Sequence, residues 1–116
     1  MPVELRALHV LKLWRDVHLD LVREDEPDLS LRQIAILLTI YLETPPHSVR
    51  GLAEKLKVSE PVIMGALETM GKFDLLSRRR DESDRRNVIV QRTVTGALAV
   101  ERLGDIIVAR TKDLPR

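Results

Sequence analysis

Ser48-Val49-Arg50-Gly51-Leu52-Ala53-Glu54-Lys55-Leu56-Lys57-Val58-Ser59-Glu60-Pro61 is the stretch on which the fold turns. Ser48 can cap a short helix over Val49 to Leu56, with Leu52, Ala53 and Leu56 facing inward, and Lys57-Val58 makes a tight turn. Ser59 caps a further helix, with Pro61 in its first turn, where a missing N–H costs little. Ile63, Ala66, Leu67 and Met70 recur at helical spacing and line that helix's inner face. Two short helices joined by such a turn are a helix-turn-helix.

Working downstream, Leu75-Leu76-Ser77-Arg78-Arg79-Arg80 meets a polar tip, Asp81-Glu82-Ser83-Asp84, and then Arg85-Arg86-Asn87-Val88-Ile89-Val90-Gln91. The second arm is β-branched and the tip is turn-forming, which predicts a β-hairpin. A basic hairpin directly after a helix-turn-helix is a wing. From Lys72 to Arg92 seven basic residues (Lys72, Arg78, Arg79, Arg80, Arg85, Arg86, Arg92) accompany four acids (Asp74, Asp81, Glu82, Asp84). Such a run can be a solvated face with weak cross-strand ion pairs. On a wing, the same arginines reach phosphates and the narrow minor groove of a duplex. Asp84 is placed to hold Arg86 extended in a bidentate pair. Thr93 or Thr95 opens a final helix with Val100, Leu103 and Ile107 in one stripe, widened by Ala97 and Ile106.

Upstream, residues 4 to 23 form a helix whose Val10, Leu13, Trp14, Val17 and Leu21 repeat at spacings of three and four, widened by Leu5, Leu8 and Leu11. Pro27 breaks it. A second helix starts at Ser30, which has capping-box spacing to Gln33. Ile34, Leu37, Leu38 and Tyr41 give that helix a buried face, and Pro45-Pro46 closes it. The wide stripes of the first and last helices either wrap one monomer core or form a dimer seam. The seam would set Leu5, Leu8, Leu11 and Trp14 against Leu103, Ile106 and Ile107.

The order of these pieces resembles the MarR family of bacterial transcription regulators. Leu29-Ser30-x-x-Gln33-x-x-x-Leu37 looks like the opening of that family's second helix. Val49-x-x-Leu52-Ala53-Glu54-x-Leu56-x-Val58-Ser59 is similar to the helix-turn-helix core shared by many winged-helix families. Arg80-x-x-x-Asp84-Arg85-Arg86, followed by Thr93-x-x-Gly96, looks like the family's wing and the start of its next helix. The resemblance implies a homodimer that binds double-stranded DNA, with Arg86 the foremost wing contact. It also implies a small-molecule effector, whose chemistry the sequence does not identify. Three departures stand out. The outward positions of the recognition helix are Glu60, Pro61, Met64, Gly65 and Glu68, without Lys or Arg. The glycine that normally precedes the first wing strand is replaced by Asp74, or else Gly71 serves after a small insertion. The stretch after Gly96 leaves room for one C-terminal helix where the family usually adds two.

Bulk composition agrees with that reading. The chain has 116 residues, 44% hydrophobic and 32% charged, with a formal net charge of +1, so affinity for nucleic acid must come from where the charges sit. There is no cysteine, hence no disulfide or thiolate metal site. No signal pattern or membrane-length apolar run is present, so the expected location is cytoplasmic, with no membrane partner. Only Trp14, Tyr41 and Phe73 are aromatic, too few for a base-stacking platform. His9 and His18 are wrongly spaced for joint ligation and His47 stands apart, so neither metal nor cofactor is expected. No phosphate loop, nucleophile elbow or paired catalytic carboxylates can be placed, which argues against an enzyme.

The expected fold is mainly α with a small β-hairpin wing: one winged helix-turn-helix domain over 1–116. It comprises a dimerisation helix (1–27), the core (28–93) and a C-terminal dimerisation helix (94–116). The expected DNA-contacting residues are Ser48, Arg50, Lys57, Ser59, Glu60, Pro61, Met64, Arg78, Arg80, Asp84, Arg85 and Arg86. Lys55 flanks them. Two other classes stay open at this point: a winged-helix module docking another protein, and a nonspecific architectural DNA binder.

Overall fold

The computed structural model describes residues 2–24 and 27–114, with side chains from residue 6. The chain forms two compact units: Leu29–Val100, and Met1–Asp28 together with Glu101–Arg116. Among the described residues, five helices and three short strands run in the order α1 (Pro2–Val22), α2 (Leu31–Leu42), β1 (His47–Ser48), α3 (Val49–Leu56), α4 (Glu60–Lys72), β2 (Leu76–Arg80), β3 (Val88–Arg92), α5 (Val94–Thr111). The architecture is mainly helical with a small antiparallel sheet in the order β1-β3-β2.

In the Leu29–Val100 unit each helix starts and stops where local chemistry dictates. Ser30 completes its capping box: its hydroxyl accepts from the Gln33 N–H (3.1 Å), and the Gln33 side chain accepts from the Ser30 N–H (2.8 Å). The Ser48 hydroxyl accepts from the Gly51 N–H (2.9 Å) to cap α3, and Lys57 ends it in a left-handed conformation (φ 57°). Ser59 sits at the N-cap of α4 in extended backbone, yet its hydroxyl makes no capping bond. Pro61, at the second helical position, has no N–H to offer and the hydroxyl does not take up the Val62 N–H either, which leaves the expected Ser59 cap positional only. Thr93 caps α5 through the Gly96 N–H (2.9 Å).

The core gathers Ile36, Leu37 and Ile40 of α2, Val49, Leu52 and Ala53 of α3, and Ile63, Ala66, Leu67 and Met70 of α4, closed by Leu75, Leu76 and Val90. On α2 the buried stripe is rotated from expectation. Leu37 is buried, but Ile34, Leu38 and Tyr41 are only half-buried, while Ile36 and Ile40 are fully enclosed. An almost wholly apolar helix (Leu31-Arg-Gln-Ile-Ala-Ile-Leu-Leu-Thr-Ile-Tyr-Leu42) carries no phase signal strong enough to choose between neighbouring faces.

Asp74 takes the left-handed conformation (φ 57°) ahead of β2, whereas no glycine has positive φ. The ungapped alternative of the two sequence readings is therefore the one adopted. Gly96 is required for packing: a Cβ there would overlap the Tyr41 hydroxyl and the Leu75 carbonyl. That hydroxyl donates to the Leu75 carbonyl (2.7 Å) and accepts from the Thr93 N–H (2.9 Å).

In the other unit, Val17 of α1 is buried and Leu13 and Leu21 are half-buried. Arg110 donates twice to Asp20, Nε to Oδ2 at 2.7 Å and Nη2 to Oδ1 at 2.8 Å. This fork holds the Asp20 carboxylate below its usual range. Arg102 donates to Glu24 (2.7 Å). No helix of the described residues is long and apolar enough to cross a membrane.

Candidate nucleic-acid interface

The wing is built by five paired positions, Leu76↔Arg92 through Arg80↔Val88. Leu76, Ile89 and Val90 anchor it to the core, leaving Ser77, Arg78, Arg79 and Arg80 exposed. Strand β1, which the sequence reading missed, adds His47↔Val90 and Ser48↔Ile89 on the far side of β3. Two residues are too short a run for any alternation to show. The pairing ties the N-cap of α3 directly to the wing.

The second arm is shorter than expected, because Arg85 and Arg86 belong to the tip and not to β3. Acid side chains and backbone fold that tip into successive turns. Asp81 Oδ1 accepts from the Ser83 hydroxyl (2.7 Å) and the Ser83 N–H (3.0 Å), and the Asp84 carbonyl accepts from the Asn87 N–H (2.9 Å). The Ser83 hydroxyl bond, its backbone N–H and nearby Arg79 hold the Asp81 carboxyl below its ordinary value.

Asp84 does not make the bidentate pair expected with Arg86. It accepts from the Arg86 backbone N–H (3.2 Å), and the Arg86 Nε lies 3.7 Å from Oδ1. Its other oxygen lies 3.8 Å from Arg50 Nη2 of α3. Two cations divide one carboxylate across the gap between helix and wing. The Arg86 side chain stays 92% exposed.

Among the described residues, Arg78, Arg79, Arg80 and Arg85 have no carboxylate at ion-pair distance. Arg80 Nη1 donates to the Arg85 carbonyl (3.2 Å), bracing the tip. Arg79, counted in the basic run but left out of the expected contact set, is as exposed as its neighbours. Arg92 is different. Its guanidinium donates to the Ile40 and Glu43 carbonyls (both 2.8 Å) and lies 5.8 Å from the centre of the Tyr41 ring. It caps the C-terminal end of α2 and is not a free wing cation.

Along α4, Glu60, Pro61, Gly65 and Glu68 are exposed and Met64 is half-buried against the core. Arg50 and Lys57 are exposed at the two ends of α3, while the Ser48 hydroxyl is engaged in its cap. The structure thus brings Ser48, Arg50 and the wing tip together, with α4 following directly on α3.

Of the expected seam residues, Leu8, Leu11 and Trp14 are exposed, Leu103, Ile106 and Ile107 are half-buried, and the Leu5 side chain lies outside the described residues. Val10, read as part of the α1 stripe but not of the seam, is also exposed, and Val22 of α1 and Val108 of α5 add exposed apolar surface the sequence reading did not assign.

The model of the MarR family matches residues 29–88, more than half of the chain. A point mutant of MepR from S. aureus superposes with a TM-score of 0.79 at 18% identity, covering 97% of this chain and 80% of that one. A transcriptional regulator from Thermotoga maritima gives 0.71 at 24% identity, covering 99% and 82%. The transcriptional regulator BldR from Sulfolobus solfataricus gives 0.61 at 28% identity, covering 74% of this chain and 60% of its own length. No curated protein sequence matches the chain.

Proposed function

The chain belongs to the MarR family, and from that premise we propose that it regulates transcription in the cytoplasm by binding double-stranded DNA as a homodimer. The observation that carries the reading is the wing. Five exposed arginines, Arg78, Arg79, Arg80, Arg85 and Arg86, stand on a hairpin whose tip meets the N-terminal end of α3, and among the described residues only Arg86 of the five has a carboxylate at ion-pair distance. A chain of net charge +1 that concentrates unpaired guanidinium groups on one hairpin is built to meet a polyanion there. Arg50 and Lys57 would add phosphate contacts that set register, with Ser59, Glu60, Pro61 and Met64 turned toward base edges. Asp84 would orient Arg50 and Arg86 between them.

Dimerisation supplies the second half-site. Leu8, Leu11 and Trp14 are exposed large apolar side chains on one helix, of the kind that marks an association surface. We assign α1 and the last turns of α5, including Leu103, Ile106 and Ile107, to that seam. Two copies of the motif on a duplex need half-sites about 34 Å apart. Neither catalysis nor a cofactor has a part in this reading, and an effector, if one acts, is a small molecule of unassigned chemistry.

A salt titration tests it. Affinity for duplex DNA should fall steeply with ionic strength, with a log–log slope of roughly −4 to −8 for the dimer. Absence of binding to any duplex at about 50 mM salt would favour a protein partner instead, docked on the acidic face of α4.

A further inference from the structure

Where α2 ends and α3 begins, the Leu29–Val100 unit opens into a cleft of about 550 Å³, a volume suited to a small molecule. Leu42, Glu43, Pro46, His47, Ser48 and Lys55 line it. His47 is only 8% exposed, and its Nε2 lies 3.1 Å from the Glu43 carbonyl oxygen. A carbonyl only accepts, so that bond assigns the proton to Nε2 and leaves Nδ1 an acceptor. Among the described residues Nδ1 has no protein partner, and it is not sealed from the cleft that its residue lines. An enclosed side chain with an unused polar atom takes a partner from whatever fills the space beside it.

Glu43 carries the rest of the site. Its main-chain carbonyl accepts from His47 and from Arg92 Nη2 (2.8 Å), which fixes its backbone and leaves its side chain to choose a partner. That carboxylate meets Lys55 Nζ at 3.0 Å, with both side chains half-exposed. An ion pair of such exposure is weak and opens readily. The rim therefore offers an occupant one anion and one cation. Backbone polarity repeats the pattern, because the C-terminal end of α2 favours a cation and the N-terminal end of α3 an anion. The Ser48 oxygen accepts from the Gly51 N–H, so its own proton remains to donate. Pro46 and the exposed Leu42 supply apolar wall.

We propose that this cleft binds a zwitterionic α-amino acid with an apolar side chain. The ammonium meets the Glu43 carboxylate and His47 Nδ1, the carboxylate meets Lys55 and the Ser48 hydroxyl, and the side chain lies against Leu42 and Pro46. A carboxylate without an amine would take Lys55 and strand Glu43, and an amine alone would strand Lys55. The bound molecule bridges α2 to α3 beside β1, whose pairing with β3 reaches the wing. Its occupancy therefore alters affinity for DNA, a consequence that rests on the duplex-binding reading above.

L-Leucine serves as the probe, titrated calorimetrically into the full chain without DNA. Leucinamide, which lacks the carboxylate, and 4-methylpentanoate, which lacks the ammonium, are titrated beside it. L-Leucine should bind, and each singly charged analogue should bind at least about tenfold more weakly. Glu43→Gln keeps the main-chain carbonyl that Arg92 and His47 use, so the fold stands. It should cost L-leucine about tenfold without weakening 4-methylpentanoate, and Lys55→Met should cost L-leucine about tenfold without weakening leucinamide. Amide shifts on titration should centre on Glu43, His47 and Gly51. Saturating L-leucine should change duplex affinity at least about threefold, and duplex should change L-leucine affinity by the same factor. No heat at about 10 mM L-leucine, an analogue binding as well as L-leucine, or shifts centred elsewhere would overturn the site. An unchanged duplex affinity would overturn its link to DNA. Calorimetry needs no duplex, so an absent amino-acid site with duplex binding intact sinks this inference alone. Absent duplex binding with L-leucine bound sinks the regulator reading alone.

Discussion

Two arginines six residues apart show how little residue type says about role. Arg86 lies at the wing tip with its side chain in solvent, whereas Arg92 closes the end of α2 by donating to two carbonyls. Replacing Arg86 by Ala should weaken DNA binding by about 1–3 kcal/mol and leave the unfolding midpoint unchanged. Replacing Arg92 by Met should lower folding stability by about 1.5–3 kcal/mol while the salt slope of binding stays as it was. Equal effects of both changes on binding alone would contradict this division. From the sequence both belong to one basic run, because the carbonyls that claim Arg92 come from about fifty residues earlier. Gly96 is a parallel case. Its place after Thr93 is plain in the chain, but the reason for it, the Tyr41 hydroxyl and Leu75 carbonyl, exists only once α2 and β2 are packed.

Elements with capping chemistry were the most legible. Ser30 with Gln33 and Ser48 before Val49 mark boundaries through local bonds, and Pro61 marks the start of α4 through its missing N–H; all three signals are written locally. The inner face of α4 could be read from its spacing, since Ile63, Ala66, Leu67 and Met70 recur at three and four while Glu60, Gly65, Glu68 and Thr69 fall on the other side. The apolar α2 gave no such contrast, and β1 was too short to alternate. The hairpin was recognisable, yet its tip was not, because turns made by Asp81 and Asp84 absorb Arg85 and Arg86 from the second arm. Between α1 and α5 the Arg110–Asp20 fork yields a pH prediction. The folded pKa of Asp20 lies below its unfolded value, so its stabilisation is present above about pH 4 and is lost as pH falls through the folded pKa. The stability advantage of the natural chain over Arg110→Met should therefore hold near neutrality and close in acid, as thermal unfolding across pH would show. A gap that persists unchanged in acid would mean the arginine acts through packing instead.

For the molecule as a whole, the apolar face of α1 has the largest consequence. Leu11 is 62% exposed, so Leu11→Arg should barely affect folding of one subunit. By placing a charge in the proposed seam it should shift sedimentation toward monomer and reduce DNA affinity by far more than the loss of one phosphate contact, because half-sites would then be bound singly. Unchanged dimerisation would move the seam elsewhere. At this scale the family and winged architecture were readable from the sequence, whereas the sharing of Asp84 between two arginines was not. The grip of Arg92 on α2, together with the Tyr41 hydroxyl between Leu75 and Thr93, has one more implication. The hairpin is held at its root by these bonds and at its far end by Asp84, which reaches Arg50 of α3, so its exposed arginines ride on a beam supported at both ends and not on one hung from a single support.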